Sequence, residues 1–415
     1  VRHRSIIKLG AVVVAGTLAL SACGSRDEAP TTGGGGDDGE EATSTAVIGV
    51  VAPLTGDLES LGVGIRNAVE LAIDQANEAG TVEGWEFELA AEDDEALPAT
   101  GQQAATTLTS NQNLIGVVGP LNSSVGQTVA PVLSEAGVVQ VSPANTNPTL
   151  TMGEDWTTNP ERVWDTYFRT STTDNAQGRF AATYVYEDLG LTDVAVIHDN
   201  KTYGAGLTAV FIEEFEKLGG NITTVETINP DDTDYSSTIT AVAATDPQLV
   251  YYGGEYPQAG PLSSQMAAAG LDVELMGGDG IYSGDYAGLA GDGAESDIAT
   301  SVGAPVEELE TASAFVAAYE EAGFDDPYEA YGAYAYDAAN AIINAFAAAV
   351  GDAEEVDDEL RTAVVDAMNS VEFGGAAGDV AFDEFGDTTN TTLTVYQQEG
   401  GEWAPVTTGV YEEAS

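Results

Sequence analysis

The chain has 415 residues, 43% of them hydrophobic, and a formal net charge of -58. That length suffices for two or more core-bearing units, and the apolar content is that of a globular protein. The acidity excludes nucleic acid and anionic membrane surfaces as partners, because both recruit Lys and Arg patches, and beyond residue 26 the only lysines are Lys201 and Lys217. A solvated acidic surface suits a salt-rich, extracytoplasmic setting, where screening limits self-repulsion to about 8 Å or less.

Residues 1–23 read as a lipoprotein signal peptide with a lipobox. Arg2, His3, Arg4 and Lys8 form a basic start, and Leu9 to Ala22 form an apolar stretch shorter than the about 20 residues that span a bilayer. The stretch runs into Leu20-Ser21-Ala22-Cys23, and Cys23 is the chain's single cysteine. Acylation of Cys23 with two or more chains predicts a stable anchor on the outer face of the cell membrane. Residues 24–45, "GSRDEAPTTGGGGDDGEEATST", are small, acidic and glycine-rich, so they predict a flexible tether with a reach of roughly 25 Å. No cysteine remains for a disulfide.

From Ala46 strands alternate with helices. "AVIGVVAPL" at 46–54 is a continuous apolar run, hence a strand buried on both faces. Ile65, Val69, Ala72, Ile73 and Ala76 have helical spacing, closed by Gly80. A strand at 87–93, a helix at 100–110, a strand at 114–119, a helix reaching Glu135 and kinked by Pro131, and a strand at 138–142 follow. A second series begins near Asp174. It has a helix, a strand at 193–199, a helix at 204–219, strands at 221–228 and 246–254, and a helix interrupted by Pro261. A short strand at 274–280 ends this series. Beyond Thr300 the pattern is helical, including an alanine-rich segment from Tyr331 to Val350, and "TLTVYQQ" at 392–398 closes the chain as a strand. Runs of βα units predict an α/β fold of two doubly wound parallel-sheet lobes.

Ligands of open α/β sheets sit beyond the carboxyl ends of the strands. Two hydroxyl-rich stretches lie there, "GPLNSSVGQ" at 119–127 and "SPANTNP" at 142–148. Ser123 opens a helix, where free N–H groups and the dipole favour an anion, and Thr146 lies beyond the neighbouring strand. Together they could hold a carboxylate; singly, each reads equally as a cap or a turn. "HDNKTYGAG" at 198–206, "GGEYP" at 253–257 and "GGDG" at 277–280 are loops of the same kind in the second series, able to offer an acid to an ammonium.

With these stretches in this order, residues 46–415 resemble the Leu/Ile/Val-binding protein family, the type I periplasmic substrate-binding components of branched-chain amino acid ABC importers. The resemblance implies two α/β lobes joined by a three-strand hinge and closing on an amino acid. Lobe 1 would comprise 46–171 plus 303–375 and lobe 2 172–302 plus 376–415, with crossings near Thr170–Asp174, Val302–Pro305 and Phe373–Phe382. It assigns the ligand carboxylate to Ser123 and Thr146, the ammonium to the Ala144 carbonyl and Asp279, and a covering ring to Tyr203. Aromatic positions of the family fall here on Leu61 and Glu255, and a family glutamate on Asp279. Two cysteines that some members pair fall near Ala96 and on Asn122. ABC permease subunits are the implied partners, and no cofactor or metal is implied.

Glu255 opens an alternative. With Asp279 it would set two carboxylates against one ammonium, which suits a polar or cationic amino acid or a short amide. A ligand-sensing receptor domain is more remote, since it would need a membrane span or output domain after the lobes. A serine hydrolase would need a histidine base, and only His198 lies beyond the signal segment. "EDDE" at 92–95 could meet Ca²⁺ but reads equally as a solvated loop. The reading is therefore a binding protein, not an enzyme.

Overall fold

The computed structural model describes residues 43–411. The signal segment, Cys23 and nearly all of the tether lie outside the described residues. Ser44 and Thr45, read above as the end of the tether, are strand, because Ser44 N–H donates to Gly84 O and both residues pair with the next strand. The first sheet comprises β1 Ser44–Ala52, β2 Trp85–Asp93, β3 Leu114–Val118, β4 Val139–Ser142 and β5 Tyr167–Arg169, in the order β2-β1-β3-β4-β5. All its pairs are parallel.

The second sheet begins with β6 Asp193–His198, β7 Asn221–Thr227, β8 Leu249–Gly253, β9 Leu275–Gly277 and β10 Ile298–Val302. A hairpin of β11 Glu372–Gly375 and β12 Gly378–Ala381 stands apart, and β13 Thr392–Glu399 with β14 Glu402–Val410 completes the sheet in the order β14-β13-β10-β9-β8-β6-β7. β6 to β10 pair in parallel; β13 and β14 are antiparallel.

The helices are α1 Glu59–Ala79, α2 Pro98–Thr109, α3 Ser123–Glu135, α4 Thr149–Met152, α5 Asp174–Thr183 and α6 Thr202–Leu218. They continue with α7 Ser236–Ala243, α8 Tyr256–Ala269, α9 Tyr286–Ala290, α10 Ser313–Ala322, α11 Gly332–Ala349 and α12 Asp358–Met368. α3 and α8 contain Pro131 and Pro261 within their spans. Among the described residues no helix is long and apolar enough to cross a membrane.

The alternation of apolar strands and amphipathic helices thus builds two α/β lobes. β3 and β8 are buried along their whole length, as strands covered on both faces must be. Eight short or polar elements escape the periodicity: β5, α4, α7, α9, β10, β11, β12 and β14. β14 follows the strand that closes the sequence-based assignment. It carries Pro405, which an edge strand tolerates, and its register with β13 shifts between Val395 and Tyr396.

The chain passes between the sheets after β5, after β10 and before β13. Residues 376–388, assigned to lobe 2 from the sequence, pack on lobe 1 instead. The Ala376 and Ala377 N–H groups donate to Asp337 of α11, and Arg169 N–H donates to Gly386 O. The last crossing therefore lies between Asp387 and Thr392. Only the folded chain exposes this, because the deciding partners are distant in sequence.

Candidate functional site

β3 and β4 end side by side, and their loops form one wall. Gly119 turns the chain out of β3 with φ +117, and a Cβ there would stand 2.0 Å from Val51 O, so only glycine fits. Ser142 Oγ donates to Pro120 O at 2.8 Å, and Asn145 Nδ2 donates to Leu121 O at 2.8 Å. Asn147 N–H donates to Ser123 Oγ at 3.4 Å, while Asn147 Nδ2 crosses to Thr202 O of the other lobe at 2.9 Å. Most polar side chains of "SPANTNP" thus knit the loops together, as a turn would. Thr146 differs: its hydroxyl is buried with no hydrogen-bond partner. The bond from Asn147 N–H to Ser123 Oγ brings the start of α3 against the residue that follows Thr146.

Arg169 anchors this wall from below. Its guanidinium is fully buried, pairs with Asp387 at 2.6 Å, and donates to Asn145 O at 2.9 Å, Asn147 O at 3.0 Å and Thr151 Oγ1 at 2.6 Å. It thereby fixes the carbonyls on both sides of Thr146.

The facing wall is built by Asp279, just after β9. Its carboxylate accepts from the Tyr203 hydroxyl at 2.7 Å, Gln177 Nε2 at 2.9 Å and the Tyr331 hydroxyl at 2.9 Å. Burial raises its pKa above the usual carboxylate range, and the three donors oppose that rise. Tyr203 starts α6, where Gly204 lets the helix approach β8 so closely that a Cβ would meet Gly253 O at 2.3 Å. Tyr331 comes from lobe 1, so its bond to Asp279 spans the two lobes.

Between the walls lies Asp174, which sequence reasoning did not single out as a site residue. Its N–H donates to Thr146 O at 2.8 Å, and both carboxylate oxygens are buried without a hydrogen-bond partner. The Thr146 hydroxyl lies beside it, close enough to oppose the rise of its pKa though outside strict hydrogen-bond geometry. Burial lifts the Asp174 pKa well above the ordinary value, and the charge of Asp279 adds to the effect. Tyr331, Gln177 and Asp174 were missed because only the fold brings them to Asp279 and Thr146.

Glu255 ends up as part of a charge-balanced group. Lys201 Nζ lies 2.6 Å from its Oε2, and Asn122 Nδ2 donates to its Oε1 at 2.5 Å across the lobes. Its charge is therefore matched by Lys201, which lies 54 residues earlier in sequence. Asp199, next to this pair, is raised to about 7 by burial and by the Glu255 charge. A hollow of about 290 Å³ lined by Leu58, Lys201, Glu255 and Pro257 opens beside the group. Leu61 is buried among the apolar core residues of α1.

The remaining sequence candidates make local bonds. His198 Nδ1 accepts the Asn200 N–H at 3.1 Å, a turn-closing bond. In "EDDE", Asp93 accepts from the Leu54 and Glu95 N–H groups and Asp94 from the Ala96 N–H. Among the described residues no group of three His, Cys, Asp or Glu could hold a metal ion.

Two lobes, three crossings and a buried polar set held between them define a bilobal solute-binding protein. The chain belongs to the periplasmic binding protein family, whose pattern it matches over residues 45–402. It is 32% identical over 356 residues to Leu/Ile/Val-binding protein homolog 2 of Brucella abortus, covering 86% of this chain and 91% of that one. Among solved structures it is similar to the branched-chain amino acid transporter substrate-binding protein LivJ of Streptococcus pneumoniae in complex with isoleucine. That match has 26% identity and a TM-score of 0.75, and covers 87% of this chain and 100% of the other. A solute-binding protein of an ABC transporter from R. palustris, solved with benzoate, shares the fold at 20% identity and a TM-score of 0.77, covering 89% and 98% of the two chains.

Proposed function

We propose that this chain is the extracytoplasmic substrate-binding lipoprotein of an ABC importer, a carrier rather than an enzyme, which captures a branched-chain or related amino acid between its lobes. The observation that carries the reading is the meeting of donors and acceptors at the lobe junction, with Thr146 and Asp174 lacking hydrogen-bond partners there. A buried hydroxyl (Thr146) and the start of α3 at Ser123 offer donors. Asp174, with both oxygens unpartnered, and Asp279 offer acceptors a short way off. Buried polar groups are normally satisfied, so this set calls for a molecule bearing both a carboxylate and an ammonium. The Ala144 carbonyl is a further acceptor. Tyr203 flanks the site through its bond to Asp279, Asn122 stands at the Glu255 group, and Leu61 packs in the core of α1 rather than on a ligand wall. Benzoate would satisfy the donors and leave two acids without a cation.

Glu255 supports a neutral ligand side chain, because Lys201 already balances its charge. The reading of a polar or cationic amino acid as ligand loses the surplus charge on which it rested. The names of the relatives favour leucine, isoleucine or valine. The lobes then close about the hinge and present the loaded form to permease subunits.

Calorimetric titration of the mature chain with leucine, isoleucine, valine, glutamine, arginine and benzoate tests the proposal. The aliphatic amino acids should bind tightest, and Glu255→Gln should not reorder the panel. Arginine or benzoate ranking first would overturn it. For the anchor, Cys23→Ala should release the protein from membranes; retained palmitate labelling would refute the lipobox.

A further inference from the structure

A second hollow stands at the hinge, apart from the residues above. It has a volume of about 450 Å³, within the roughly 300–1,000 Å³ range of small-molecule sites. Five aromatic side chains line it: Tyr282, Tyr328, Tyr334, Tyr396 and Trp403. The Tyr282 and Tyr396 rings lie 4.3 Å apart, and the Tyr282 and Trp403 rings 6.0 Å apart. Trp403 Nε1 donates to Ser283 O at 3.0 Å, and the Tyr334 hydroxyl donates to Val302 O at 2.6 Å, so the ring positions are pinned by the backbone.

Two carboxylates, Glu329 and Glu402, share the lining, and no Lys, Arg or His does. Glu329 is the informative one. It accepts the Gly284 N–H at 3.3 Å, yet no ion pair reaches it among the described residues. Its backbone has φ +50, an unfavourable conformation for a residue with a side chain. Strain of this kind costs free energy and persists where the surroundings enforce it, often at ligand sites. An apolar occupant would cover the half-buried carboxylate without giving it a counter-charge, and an anion would be repelled by it. Ring faces carry negative electrostatic potential and attract cations.

We propose that this hollow is a second binding site, for a small organic ammonium ion such as a methylated amine, held by the Glu329 carboxylate and the surrounding rings. Its lining joins the loop after β9 and strands β13 and β14 of one lobe to residues 327–334 of the other, with Ser301 and Val302 at the end of β10. An occupant touching both lobes at a crossing shifts the population towards the lobe arrangement that it binds better.

The test is calorimetric titration of the mature chain with choline and with its neutral isostere dimethylbutanol. Choline should give saturable binding, and the isostere should not. Glu329→Gln should weaken choline by about ten-fold or more, the equivalent of about 1.4 kcal/mol. Trp403→Leu should also weaken it, which covers the case in which Glu329→Gln fails to fold. Ser123→Ala/Thr146→Ala, which disables the amino-acid cleft, should leave choline binding intact. Absence of saturable choline binding, equal binding of the isostere, insensitivity to both substitutions at the hollow, or loss in the cleft variant would each overturn the proposal.

Discussion

Arg169→Met tests whether the ligand wall is held from inside the protein. The guanidinium is fully buried; burial alone would favour its neutral form, and the Asp387 carboxylate more than offsets this. Removing the charge leaves Asp387 buried with only the Thr151 hydroxyl and its own loop, at a cost of about 3–5 kcal/mol for a broken buried pair. The carbonyls of Asn145 and Asn147 lose the Arg169 donor and keep only longer bonds, from Ser171 Oγ at 3.5 Å and Leu150 N–H at 3.3 Å, at up to about 1–3 kcal/mol each before relaxation. These terms overlap, because water can enter once the side chain is gone, so the expected loss is about 4–6 kcal/mol. Total stabilities are about 5–15 kcal/mol, so the variant should be close to unfolding. Urea unfolding followed by circular dichroism reads this as a fall in midpoint at unchanged slope. Arg169→Met combined with Asp387→Leu should recover part of the loss, because no lone charge is left buried. A loss below about 1 kcal/mol in the single variant, or a double variant worse than the single, would refute the reasoning.

Three further outcomes are expected. Ser123→Ala with Thr146→Ala should weaken the amino-acid ligand by about 3–5 kcal/mol in calorimetry, from two donors to a carboxylate; unchanged affinity would move the site. Burial raises Asp94 from 3.8 to about 7, and its Oδ2 has no partner. A raised acid stabilises the fold while protonated and loses that contribution as pH climbs through the folded value, so stability should fall between about pH 4 and pH 7. Asp94→Asn keeps the bond from Ala96 N–H and should flatten that slope, exceeding the parent by ~1–3 kcal/mol at about pH 8 in thermal or urea unfolding; a parallel pH profile would count against it. Lys201→Met leaves Glu255 without its cation and weakens the join to Asn122, so small-angle scattering should show a larger radius of gyration at equal ligand concentration. An identical scattering curve would contradict that role.

The sequence by itself determined the local periodicities and the polar punctuation at strand ends. Unbroken apolar runs such as 114–118 can only be buried strands, and helices with one apolar stripe must cover them, so the two α/β lobes were legible. Ser123 and Thr146 were legible as candidates only, because hydroxyls directly after such runs stand where open sheets receive ligands. Tertiary structure decided which charges meet. Asp387 reaches Arg169 from 218 residues away, Tyr331 reaches Asp279 from 52, and Lys201 neutralises Glu255 from 54. No spacing rule encodes those pairs, since they arise from sheet order and from the crossings between lobes. The sequence showed Glu255 as a surplus charge, whereas the fold paired it and left Asp174 as the unpartnered acid. That difference follows from desolvation: a carboxylate's effect on a ligand depends on which cation shares its buried volume, and only the folded chain fixes that volume.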